Sequence, residues 1–169
     1  RTWKDGQAKL NGYLEDYACV ADGLVALYEA SFETRWLREA ATLADAILEL
    51  FWEEAEGAFY DTAADHEELV TRPRDVYDNA TPSGNSVAVD VLLKLSVLLD
   101  REDYREKAEA VLENLSGGIA RIPGACGRLL SALDFYLSTS YEVAIIGDRE
   151  ASGTKALLET VYTSYLPNK

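Results

Sequence analysis

Residues 24–48 read LVALYEASFETRWLREAATLADAIL, and residues 92–115 read LLKLSVLLDREDYREKAEAVLENL. These are two copies of one pattern. Under a shift of 68 positions, from Leu24 to Leu92, Leu27 falls on Leu95, Trp36 on Tyr104, Ala40 on Ala108, Leu43 on Val111 and Ile47 on Leu115. Each copy reads as a helical hairpin. A hairpin cannot bury its apolar face alone, so such repeats stack.

The two halves of each copy differ in kind. Residues 12–30 are apolar around almost the whole helical wheel, with Asp22 the main interruption after the first turn. A helix of that pattern is expected to be buried on all sides. Residues 34–52 instead carry a polar stripe of Arg35, Arg38, Glu39, Thr42, Asp45 and Glu49 opposite Trp36, Leu37, Ala40, Leu43, Ile47 and Phe51, the mark of a surface helix.

The second copy repeats the contrast. Residues 82–99 are interrupted only by Asp90, Lys94 and Ser96 after the first turn, with Thr81 as expected N-cap and Pro82 at the first helical position. Residues 102–115 are amphipathic, and Gly117-Gly118 is expected to end that helix. Alternating buried and surface helices predict a mainly α fold of stacked helical hairpins, part of an α/α solenoid or, if the curvature closes, of an α/α toroid. The hairpins, with a third helix following at about 124–138, occupy residues 1–138. Residues 139–169 read as an appendage, a short buried strand at Tyr141–Gly147 followed by a helix over 152–165.

Composition narrows the partners. A net charge of −14 and an isoelectric point near 4.4 argue against nucleic acid and anionic membrane surfaces. No apolar run reaches membrane-spanning length. Cys19 and Cys126 lack metal or redox spacing and read as small buried hydrophobes. With His66 the single histidine, no metal site and no cofactor are expected. With no signal-peptide pattern either, a cytoplasmic location is expected, and the lack of methionine, even at position 1, reads as a piece of a longer protein.

Residues 53–81 (EEAEGAFYDTAADHEELVTRPRDVYDNAT) join the hairpins and are too long for a plain turn. Gly57–Asp61 and Leu69–Arg72 alternate as strands would, which predicts a small β-hairpin here. The segment concentrates polar groups and runs into Pro82-Ser83-Gly84-Asn85-Ser86. In the first copy, Asp16 and Tyr17 align with Gly84 and Asn85, so both inner helices begin with polar turns at the same end. Free N–H groups and the positive dipole end gather there.

The candidate catalytic residues are Asp16, His66 and Asp78, and the candidate substrate-binding residues are Glu15, Tyr17, Asp61, Arg72, Tyr77, Asn79, Ser83 and Asn85. Paired carboxyl groups suit glycoside hydrolysis, and a single imidazole suits the proton transfers of an epimerisation. Tyrosines suit the faces of a sugar or another small polar ligand. Each residue also has a plainer role. Glu15 and Asp16 complement a helix dipole, Asp78 and Asn79 form turns, and Arg72 pairs with a nearby carboxylate.

KLNGYLEDYA, FYDT, DHEELVTRPRDVYDNATPSGNS and the closing YLPNK resemble the C-terminal region of the YyaL-type thioredoxin-domain proteins. That family includes the spermatogenesis-associated thioredoxin-domain proteins of animals. The resemblance implies a longer parent, in which a thioredoxin-like domain precedes a six-hairpin α/α toroid similar to N-acylglucosamine 2-epimerases and α/α-barrel glycosidases. It carries no thiol chemistry to Cys19 or Cys126. Two functions follow as expectations. One is carbohydrate binding or processing in the intact parent. The other is a non-catalytic scaffold for the thioredoxin-like domain, inactive in isolation. Its partners would be the remainder of the parent and, through exposed apolar faces, further copies of itself.

Overall fold

The structure, a computed structural model, describes residues 2–65 and 71–168. The chain opens with a β-hairpin, β1 (Thr2–Lys4) against β2 (Gln7–Lys9), turned by Asp5 and Gly6, both at positive φ. An Asp-Gly pair is the standard two-residue hairpin signal. Four helices follow in two pairs, α1 (Leu14–Ser31) with α2 (Thr34–Phe51), and α3 (Gly84–Leu99) with α4 (Glu102–Arg121). A 3₁₀ turn, Pro123–Ala125, leads to α5 (Gly127–Leu137), and α6 (Ser152–Thr163) comes last. The protein is mainly helical and built of packed hairpins, as the repeat predicts; the described residues also form two small β-hairpins, of which the N-terminal one was not expected.

α1 packs against α2 and α3, and α3 packs against α4. α3 is the buried element, solvent-excluded without a break from Gly84 to Leu93. Its apolar wheel therefore finds partners on every side. α1 does not: Leu14, Ala18, Ala21 and Val25 are buried, but Val20 and Leu27 are 55% and 47% exposed. The all-round burial expected of α1 is thus corrected to burial of one face. Cys19 is likewise exposed, whereas Cys126 is buried.

The outer helices are tied inward by Tyr104. Its ring is fully buried, and its hydroxyl donates to Asp45 Oδ1 at 2.6 Å and to the Ala41 carbonyl at 3.2 Å, joining α4 to α2. Burial and the Asp45 hydrogen bond push its phenol above the ordinary tyrosine range.

Three boundaries differ from expectation. Ser83, not Thr81, caps α3: Ser83 Oγ accepts the Ser86 N–H at 3.1 Å, and Ser86 Oγ lies 2.8 Å away. The helix starts later because Asp78 has claimed the Ser83 N–H. α4 runs through Gly117-Gly118 to Arg121, since burying Ile119 offsets about 1 kcal/mol per glycine. The insert's β-hairpin pairs β3 (Trp52–Glu53) with β4 (Ala58–Phe59). Its expected second strand at Leu69–Arg72 falls partly outside the described residues, and Arg72 itself is in no strand.

The chain divides into two compact units, Arg1–Leu133 and Asp134–Lys169. In the second, α6 has no buried residue, and Ile146, Leu157, Tyr162 and Tyr165 are half or more exposed. Tyr141–Gly147 is not the expected buried strand. Among the described residues it pairs in no ladder and is largely exposed; the Tyr141 N–H donates to the Asn168 carbonyl at 2.8 Å.

Candidate functional site

The starts of α1 and α3 lie side by side. A side chain on Gly84 would place its Cβ 2.9 Å from the Glu15 nitrogen and 3.0 Å from Leu14 Cγ, so only glycine lets the two backbones meet. The insert is stitched across this junction. The Leu14 N–H donates to the Asp61 carbonyl at 2.9 Å, and the Asp61 N–H donates to the Pro73 carbonyl at 2.9 Å.

Asn85 ties β4 to the later stretch of the insert. This fully buried side chain accepts the Phe59 N–H at 3.3 Å, donates to the Phe59 carbonyl at 3.2 Å and donates to the Asp75 carbonyl at 3.1 Å. Asp78 does the same for the helix starts. Its Oδ1 accepts the Ser83 N–H at 3.0 Å, and its Oδ2 accepts the Arg128 N–H at 2.7 Å. Its own N–H donates to the Ala125 carbonyl at 2.7 Å. A carboxylate bonded through both oxygens to backbone donors is an anchor, and α3 and α5 begin where it holds them.

The remaining candidates fall into similar places. Asp16 Oδ2 turns back to accept the Tyr13 N–H at 2.8 Å, closing the first turn of α1. Glu15 is exposed in that turn, while Tyr17 packs edge-on to Phe51 at 5.3 Å between ring centroids. The Tyr77 N–H donates to Asp75 Oδ1 at 3.1 Å and its side chain is 40% exposed; the Asn79 N–H donates to the Thr81 carbonyl at 2.9 Å. Arg72 donates to the Thr62 carbonyl at 2.6 Å and stacks 4.2 Å from the Tyr60 ring centroid, with Arg74 at 5.0 Å. Among the described residues, Arg72 thus meets a backbone carbonyl and an aromatic face. His66 lies outside the described residues.

The fold shifts the protonation of Asp61. Burial pushes it up and the Asp75 N–H bond opposes this, while the charges of Asp75 and Glu15 push the same way as burial. The folded state therefore holds the Asp61 proton more tightly than the unfolded chain does. Stability from this group is fully present below the ordinary carboxylate value near ~4 and is lost as pH rises through the higher folded value. Asp61→Asn keeps an oxygen for the Asp75 N–H but cannot ionise. Its melting temperature, followed from about pH 4 to 7, should fall less with rising pH than that of the parent chain. Superimposable profiles would rule out that shift.

A second polar group escaped the sequence reading. Arg128 on α5 donates to Asp22 Oδ1 of α1 at 2.8 Å and to Asp90 Oδ2 of α3 at 2.5 Å. Lys94 Nζ approaches Asp90 at 3.0 Å and Asp22 at 3.9 Å. Four charges thus link α1, α3 and α5, with Asp90 only 5% exposed. The signal was present: Asp22 and Asp90 occupy the same position of the repeat, one acid in each apolar inner helix.

These features sit in a sequence with known counterparts. Over 159 residues, 94% of the chain, it is 40% identical to spermatogenesis-associated protein 20 of Rattus norvegicus and 39% identical to that of Homo sapiens. The chain is homologous to a stretch of those proteins. It spans about a fifth of the length of the curated relatives it matches. A Caenorhabditis elegans protein of uncharacterised function is 28% identical over 145 residues, again across 20% of its length. No protein-family model matches the chain. Among the described residues, no helix is long and apolar enough to cross a membrane.

Proposed function

We propose that this chain is a helical-hairpin scaffold segment of a longer protein, and that its polar insert fixes helix starts instead of reacting with a substrate. Asp78 carries the reading: both carboxylate oxygens are engaged by backbone N–H groups of α3 and α5. Asp16 and Asp61 also bond backbone donors. Carboxylates so engaged are poorly disposed to abstract or deliver a proton. The alternation of α1 and α3 as inner helices with α2 and α4 outside supports a place in an α/α toroid, which in the parent would support a thioredoxin-like domain.

Calorimetric titration with neutral mono- and oligosaccharides should give no saturable heat. Asp78→Asn, whose amide nitrogen would oppose a backbone donor, should lose about 1–3 kcal/mol of stability. Saturable sugar binding that vanishes in Asp16→Asn at unchanged melting temperature would overturn the scaffold reading.

A carbohydrate-processing role in the intact protein is the second reading. It is favoured by the raised carboxyl of Asp61 and the nearby charges of Glu15 and Asp75, an arrangement in which one carboxyl group can stay protonated beside ionised ones.

A further inference from the structure

The side of α1 that carries Cys19, Val20, Gly23, Ala26 and Leu27 is open to solvent. Under the repeat shift these residues fall on Val87, Ala88, Val91, Lys94 and Leu95 of α3. There the four apolar residues are at most 2% exposed. Two contacts show what covers that side of α3. Gly84 abuts Leu14 and Glu15 of α1, and Lys94 reaches Asp22 of α1. Gly84, Val87, Val91 and Lys94 are spaced by three and four residues, so they form one stripe, and that stripe lies against α1. The corresponding stripe of α1, through Asp16, Cys19, Gly23 and Ala26, is exposed throughout.

We propose that this face of α1 docks a further helical hairpin of the same repeat, carried by the same polypeptide and seated on α1 as α1 is seated on α3. The proposal rests on the scaffold reading and deepens it by naming the surface and its occupant. The interface between α1 and α3 continues one step along the stack, and relatives about five times as long have chain to supply the next unit. A second copy of this chain is a poorer occupant. Pairing two α1 faces would bring together molecules each of charge −14. The docking helix should therefore carry small or branched apolar residues at three- and four-residue spacing, with no acidic residue opposite Glu15 and Asp16.

Cys19 lies in the middle of the face and reports its coverage, while Cys126, 2% exposed, is the internal reference. N-ethylmaleimide labelling at about pH 8, just below the ordinary thiol value, is followed by mass spectrometry in the 169-residue chain and in the full-length polypeptide. In the shorter chain Cys19 should label at a rate independent of protein concentration. In the full-length polypeptide it should label about 100-fold more slowly, as a thiol reached only through local opening. Val20→Glu with Leu27→Glu should restore fast labelling there while Cys126 stays protected. If Cys126 also reacts, folding has been lost, and Ala26→Gln replaces the pair with the same expected acceleration. Fast Cys19 labelling in the intact full-length polypeptide overturns the proposal. Labelling that slows with rising concentration of the shorter chain also overturns it, in favour of a second copy. Sugar binding in the calorimetric test would defeat the scaffold reading while leaving Cys19 protection unchanged, so the two failures are distinct.

Discussion

Asp90→Ala should lower the stability of the helical unit by about 3 kcal/mol, the lower end of the range for breaking a buried ion pair. Asp90 is almost wholly excluded from water, and its carboxylate meets both Arg128 and Lys94. Removing it leaves two cations facing a pocket that no longer neutralises them. The lower end applies because the Arg128 and Lys94 side chains keep 27% and 29% of their exposure, so water repairs part of the loss. Asp22 can also retain Arg128 from the α1 side. Urea unfolding followed by helix circular dichroism measures the change. The double variant Asp90→Leu with Arg128→Met should recover much of it, because apolar replacement of both partners removes the desolvation penalty as well as the attraction. A loss below about 1 kcal/mol in the single variant would mean that the cluster behaves as a surface pair.

Asn85→Ala is expected to be comparably severe, again about 3 kcal/mol. Three hydrogen bonds disappear, and the Phe59 N–H, the Phe59 carbonyl and the Asp75 carbonyl lose their partner. Phe59 is fully buried, so its backbone groups cannot turn to water, and each unsatisfied group costs about 1–3 kcal/mol. Asn85→Asp should not rescue the site, because a carboxylate has no N–H to offer the two carbonyls. Hydrogen exchange gives a local readout: the Phe59 amide should lose protection, while amides in the middle of α2 keep theirs. Equal loss at both places would show global unfolding and no specific role in holding the insert.

The layers were readable in the letters because burial follows periodicity. The polar stripe of α2 and the continuous apolar wheel of α3 each settled into the environment their spacing demands. α1 has a largely apolar wheel like that of α3 and a different fate, because a wheel states what a helix can bury and not what arrives to cover it. The insert was visible as a polar concentration, and three of its residues, Asp61, Asp75 and Asp78, bond Leu14, Asn85 and Ser83 at the helix starts. What they do there was not visible. Asp78 looks the same in sequence whether its oxygens meet a sugar or two backbone N–H groups, and only folded geometry separates the cases. The strand partner of β4 was missed for a related reason. Trp52 and Glu53 directly follow α2 and were read as its last turn and the start of a loop.

Phe32 and Asp100 both adopt left-handed backbone angles, with φ of 54° and 55°, and each donates its N–H four residues back, to Tyr28 and Ser96. They stand at matching places in the duplicated unit, yet one is aromatic and the other acidic. A bend shared by side chains so different indicates that the joint is held by torsion angles and the helix-end hydrogen bond, not by residue type. Distant cousins of this architecture are therefore better sought by where their helices stop than by which amino acids stop them.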